Sequence, residues 1–134
     1  MVGAAIWTVG FAFEFFADLQ LIDHQDLPQS KRPSLLKTGL WRYSRHPNYF
    51  GEILCWWGIY IIACSGNSLQ TGGALTIYSP VLITVLLLGV TGVPCMEKGK
   101  AKSKEYRLYM QETSCVLPWP SSPTPEKERP KVLE

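Results

Sequence analysis

The segment Gly39–Glu52, GLWRYSRHPNYFGE, concentrates side chains suited to holding an anion. Pro47 fits the first position of a helix, because its missing N–H has no intrahelical partner there and its φ is already helical. A helix starting at Pro47 leaves backbone N–H groups unpaired near Asn48 and Tyr49, with the positive end of the helix dipole behind them. Arg42 and Arg45 precede that end closely, and His46 adds a donor. Two guanidiniums at a helix N-terminus suit a phosphate or carboxylate. They suit lipid headgroups at a membrane interface equally well, and the residues alone leave both readings open.

Glu52 lies one turn beyond Asn48, so the two share a helix face. A carboxylate a turn inside an apolar helix is costly unless paired or hydrated, and it marks a functional position by default. A structural ion pair with Arg42 or Arg45 is the alternative. Glu14 and Asp18 repeat the pattern four residues apart on an earlier apolar segment. Both are expected to face the interior, toward Glu52, the arginines or a polar ligand, unless Asp18 merely marks the end of the span.

The elements that must position these residues are apolar blocks. Hydrophobic residues make up 46% of the 134, an ordinary share, but they collect in three stretches: Met1–Ile22, Tyr49–Cys64 and Ala74–Met96. The first and third are long enough to cross a hydrocarbon core of ~30 Å. The second is short unless Pro47 and Asn48 join its first turn. Pro80 and Pro94 are expected to limit or kink the third helix. A signal peptide is disfavoured for the first block, which lacks a basic start and carries two acids. The 13 Lys and Arg divide as five in 23–48, none in 65–73 and eight after Met96. That alternation is what the positive-inside rule requires of three crossings with the C-terminus in the cytoplasm. The expected fold is therefore all-α, an integral membrane bundle of about three transmembrane helices. A short amphipathic helix should follow, ending before Pro118. Residues 1–120 form one domain, and the Pro-, Ser- and charge-rich stretch 121–134 is expected to be disordered.

Other chemistries lack their signatures. A net charge of +2 with no basic–aromatic run gives no reason to expect a nucleic-acid partner. Cys55, Cys64, Cys95 and Cys115 match no zinc spacing, so no metal is expected and the thiols read as small hydrophobes. Neither GxGxxG nor GxxxxGK[ST] occurs, so a nucleotide cofactor would have to be held by helix ends and membrane-embedded polar groups. Trp7, Trp41, Trp56 and Trp57 read as interfacial belt or packing residues rather than a cofactor stack. Tyr106 and Tyr109, three apart on the terminal helix, could anchor it at the interface or close the mouth of a site.

GLWRYSRHPNYFGE, the following WWG, GVPCMEK and EYRLYMQETSCVLPWP together resemble the DUF1295 family within the steroid 5α-reductase C-terminal superfamily. GFAFEFFADLQL resembles that family's helix with a Glu and an Asp four apart, and the likeness extends over about residues 6–120. The resemblance implies NADPH as cofactor and reduction of a carbon–carbon double bond in a lipid substrate. It carries polar cofactor contacts onto Asp18, Asn48 and Glu52, and a basic approach to the phosphates onto Arg42, Tyr43, Arg45 and His46. Glu97, Tyr106 and Tyr109 match less closely, near the adenosine end. Family members have further N-terminal helices, so completion of the site is expected from upstream helices or a partner subunit. The endoplasmic reticulum follows only from family habit. Isoprenylcysteine and phospholipid methyltransferases, which bind S-adenosylmethionine, share part of the pattern. A non-catalytic membrane subunit is the third reading.

Overall fold

The computed structural model describes residues 1–65 and 73–122. All regular structure among them is helical. Helix α1 spans Val2–Asp26 and a 3-10 turn covers Gly39–Arg42; helix α2 spans Pro47–Ala63. The third apolar block is broken: a 3-10 turn at Gly73–Ile77 leads into α3 (Tyr78–Val85), a π-turn at Leu86–Val90, and α4 (Val93–Lys100). Helix α5, Lys104–Glu112, completes the order.

Two of these stretches, Val2–Asp26 and Gly73–Lys100, are long and apolar enough to cross a membrane. Their apolar windows are only 17% and 6% buried, whereas the core helix of a soluble protein would be mostly covered. Phe11, Phe15, Phe16, Leu82, Val85 and Leu88 all lie open on their surfaces. Such faces are stable against lipid and not against water, so the chain is a membrane protein. At ~1.5 Å per residue α1 is about 37 Å long, more than a hydrocarbon core needs, and α2 reaches about 26 Å. The second helix is thus too short to count as a span by length alone. It does begin at Pro47, with Asn48 in its first turn.

Helix α2 runs antiparallel to α1 and packs along it through small residues. Gly3, Gly10 and Ala17 are the buried residues of α1, spaced by seven; α2 answers with Gly51 and Gly58, also seven apart, and Cys55. Without side chains the two backbones come very close. A Cβ on Gly10 would stand 2.7 Å from the Gly51 carbonyl oxygen, and one on Gly58 would stand 2.7 Å from the Trp7 backbone nitrogen. Packing of this kind drives helix association in lipid, where hydrophobic burial offers no gain.

The break in the third block has a local cause. The Thr91 and Gly92 N–H groups both bond back to the Leu86 carbonyl, the wide loop of a π-turn. Gly92 then leaves the helical region, and Pro94 starts α4 afresh. The expected kink therefore falls just before Pro94, whereas Pro80 sits buried inside α3 without ending it. The loop 65–73 and the tail 121–134 lie mostly outside the described residues. At the edge of that tail, the Ser122 N–H bonds the Glu112 carbonyl at 3.0 Å.

Candidate functional site

Two polar clusters stand at one end of the α1–α2 pair. The first lies between the helices. Asn48 Nδ2 donates to Asp18 Oδ1 at 3.1 Å, which joins α1 to the first turn of α2. Asn48 Oδ1 is buried and has no hydrogen-bond partner among the described residues. Glu14 is close enough to Glu52 and Asp18 to feel both charges, and its Oε2 lies 3.9 Å from Cys55 Sγ. Glu14, Asp18, Asn48 and Glu52 are all half-buried. Among the described residues no basic side chain pairs with any of the three carboxylates. The alternative for Glu52, a structural ion pair with Arg42 or Arg45, is not formed among the described residues. Both acids of α1 do face α2, because the small-residue seam that brings Gly10 onto Gly51 leaves Glu14 and Asp18 beside Glu52 and Asn48.

The second cluster is centred on Glu97 of α4. Arg45 Nε donates to Glu97 Oε1 at 2.8 Å and Arg45 Nη2 to Oε2 at 3.3 Å, a forked charge-assisted pair. Arg45 Nη1 donates to the carbonyls of Met110 and Thr113 at 2.9 and 3.1 Å. His46 Nε2 lies 3.0 Å from Glu97 Oε1, and the Tyr106 hydroxyl donates to the same oxygen at 3.3 Å. The Tyr109 hydroxyl donates to the Trp41 carbonyl, while Trp41 Nε1 donates to the Ala17 carbonyl of α1 at 3.1 Å. Residues after α5 close the cluster. The Arg45 and His46 N–H groups bond the Ser114 and Cys115 carbonyls, and the Ser44 hydroxyl bonds Val116 O at 2.8 Å.

This geometry changes the role expected of several residues. Arg45 and His46 were expected to offer donors to an external anion; both are buried, and the anion they hold is the chain's own Glu97. Arg42 and Tyr43 are exposed, so Arg42 alone of the two arginines remains open to solvent or headgroups. Tyr106 and Tyr109 are 3% and 4% exposed, which fits packing and not interface anchoring. Trp41 is likewise a packed residue, not part of an aromatic belt. Ser44, Thr113 and the Met110 carbonyl had no signal in the sequence, since their roles depend on where the segment after α5 returns.

The electrostatics follow from burial. Burial pushes the Tyr106 phenol up to about 12, helped by the nearby Glu97 charge, and it raises Tyr109 as well. Both therefore stay neutral donors. Burial also raises the Cys115 thiol. His46, Glu97 and Cys115 bring donor atoms within 4.8 Å of one another. Glu97 Oε1, however, already accepts from Arg45, His46 and Tyr106, and Oε2 accepts from Arg45, so this carboxylate is engaged in a hydrogen-bonded knot within the chain.

Burial holds the His46 imidazole below its ordinary 6.5, against the opposing pull of Glu97. Neutral imidazole with its proton on Nε2 satisfies the acceptor-only carboxylate. Since the unfolded chain binds this proton more readily, the contribution of His46 is present above pH 6.5. It is lost as pH falls from there through the lower folded value. Melting curves in detergent between pH 8 and pH 5 should show stability falling below ~6.5, and His46→Gln should flatten that slope. An unchanged slope in the variant would mean that His46 does not titrate with unfolding.

A family model described as "Protein of unknown function (DUF1295)" matches residues 1–113, a stretch that includes the α1–α2 cluster and the side chains around Glu97 but not the closing residues Ser114–Val116. No curated protein and no solved structure matches the chain.

Proposed function

The chain belongs to the DUF1295 family, and from that footing we propose that it is a membrane-embedded NADPH-dependent reductase of a lipid carbon–carbon double bond. The observation that carries the reading is the α1–α2 cluster. The three residues that the steroid 5α-reductase resemblance marks as cofactor contacts, Asp18, Asn48 and Glu52, come from two different helices and stand together. The unpartnered Asn48 Oδ1 is an acceptor in search of an N–H, and the carboxamide of a nicotinamide has two. Bound NADPH supplies a hydride. Asp18 orients Asn48 through its hydrogen bond, and Asn48 in turn would fix the carboxamide. Glu14, Asp18 and Glu52 would stabilise positive charge developing on the ring as the hydride leaves, an interaction made in the transition state. The α1–α2 seam keeps water out on one side; upstream helices or a partner subunit would close the other and shape the lipid-binding space. In this reading the C-terminus and both clusters face the cytoplasm, where NADPH is available, with the endoplasmic reticulum as the membrane.

The same unpaired carboxylates favour a second reading, because S-adenosylmethionine carries a permanent sulfonium charge. Nicotinamide fluorescence in detergent, with S-adenosylmethionine as competitor, separates the two. NADPH should bind, and Asn48→Ala should weaken it about tenfold, ~1.4 kcal/mol, at a temperature where the variant, which also loses its bond to Asp18, is still fully folded. Glu52→Gln should weaken it too. Binding of S-adenosylmethionine without NADPH would establish the methyltransferase reading. Failure of both ligands, with upstream helices supplied, would leave a structural membrane subunit.

A further inference from the structure

The loop between α1 and the first 3-10 turn contains Lys31, Arg32, Pro33, Ser34 and Leu35 in succession. Lys31 to Ser34 are exposed and belong to no helix, so the stretch is free to lie in another protein's cleft. Pro33 assists by biasing Arg32 toward extended backbone. The Ser34 hydroxyl donates to Glu105 Oε2 at 2.5 Å, a direct bond from the loop to the first turn of α5. Further along, Lys37 Nζ stands 5.3 Å from the centre of the Tyr109 ring, a second tie to that helix. Loop and helix together wall a cavity of about 470 Å³, with Arg32, Ser34, Lys100 and Tyr106 in its lining. Ser34 is thus accessible and also employed, so charge added to it changes a contact that the fold makes.

We propose that Ser34 is a phosphorylation site for a serine kinase selective for basic substrates, and that the phosphate unlatches the loop from α5. Lys31 and Arg32 stand three and two residues before the serine, cations of the kind that a carboxylate-lined kinase cleft pairs with. Ser34 Oγ attacks the γ-phosphorus of ATP, the bond to the ADP oxygen breaks, and the hydroxyl proton passes to the kinase's catalytic carboxylate. The product carries about −1.5 to −2 charge where a donor to Glu105 stood, so a hydrogen bond gives way to repulsion. Arg32 has Nη1 on the Gln25 carbonyl at 3.2 Å and no further bond among the described residues, so its other donors draw the phosphate back into the loop. Lys100 is the opposing pull, but its ammonium stands over the Tyr106 ring, 5.9 Å from the centre. Once Lys37 leaves Tyr109, the loop side of the cavity opens to solvent. The site requires the loop to face the cytoplasm, where ATP is, and the five Lys and Arg in 23–48 favour that side. None of this depends on the reductase reading.

The test uses the full chain in detergent with ATP and two kinases, one selective for basic substrates and one for acidic substrates. The first should place a phosphate on Ser34, read by tandem mass spectrometry, and the second should not. Arg32→Gln should slow the transfer tenfold or more, and Lys98→Gln, on α4, should leave it within twofold. Unlatching is read as the rate of tryptic cleavage after Lys37, whose side chain is half-buried against Tyr109. Phosphorylation should speed that cleavage several-fold in the wild type. In Glu105→Lys the repulsion becomes an ion pair, and the same phosphate should slow it. Should that charge reversal misfold by circular dichroism, Glu105→Gln, which only removes the repulsion, must show a smaller acceleration than the wild type. Absence of phosphate from Ser34, or its appearance on Ser103 instead, between Lys102 and Lys104, would overturn the site. Acceleration of equal size in the wild type and the Glu105 variants would overturn the latch.

Discussion

Glu97→Ala is expected to destabilise the protein by about 3–5 kcal/mol, because it leaves the buried Arg45 guanidinium without its counter-charge. Glu97 and Arg45 are each 8% exposed, so water cannot replace the lost carboxylate cheaply. The same carboxylate oxygen accepts from His46 and Tyr106, and both would lose that partner too. Glu97→Gln keeps an acceptor and should cost less. Arg45→Ala combined with Glu97→Ala should cost less than the sum of the single changes, as expected of directly paired groups. Thermal unfolding in detergent measures all of these. If Glu97→Ala instead melts like the wild type and loses only ligand binding, then Glu97 serves a ligand and the knot is dispensable. The expectation bears on how a loss of NADPH binding in Arg45→Ala would be interpreted. Arg45 holds α2, α4 and the chain after α5 together, so that variant reports folding before it reports cofactor contact.

The second large effect comes from the helix seam. A Cβ on Gly51 would lie 2.5 Å from the Glu14 backbone nitrogen and 2.6 Å from the Gly10 carbonyl oxygen. Backbone cannot swing aside as a side chain can, so α1 and α2 must separate. Gly51→Ala should therefore destabilise by ~1–3 kcal/mol, the usual range for overpacking, and Gly51→Leu by more. The opposite sign is expected at Gly99, where nothing lies within 4 Å of an added Cβ and the residue is in helix α4. There alanine should stabilise by up to ~1 kcal/mol through helix propensity. Gly51→Ala also carries a functional consequence, since the seam sets the Asp18–Asn48 contact. Its NADPH affinity should fall with its stability. A Gly51→Leu chain that melts normally would show that the two helices are not in backbone contact.

The residues themselves determined a good deal. Apolar blocks and the five–zero–eight division of Lys and Arg identify a helical membrane chain, because lipid admits few backbone solutions and charge placement follows from insertion. Pro47 marked the start of α2, since its ring fits only the first turn. The spacing of Glu14 with Asp18, and of Asn48 with Glu52, placed each pair on one helix face, because α-helical periodicity is local. The seven-residue spacing of Gly3, Gly10 and Ala17 gains its meaning only from the matching Gly51 and Gly58 on the opposite helix.

Tertiary structure decided which charges are free. Arg42, Arg45 and His46 are nearly adjacent in sequence and nothing local tells them apart, yet Arg45 and His46 turn inward and Arg42 outward. What separates them is Glu97, more than fifty residues away, together with the Ser114 and Cys115 carbonyls that meet the N–H groups of Arg45 and His46. A carboxylate satisfies whichever cations the fold brings within reach, and periodicity carries no record of that distance. For the same reason Arg32 and Lys100, unremarkable in a basic loop and a basic helix end, become the open cations of a single cavity.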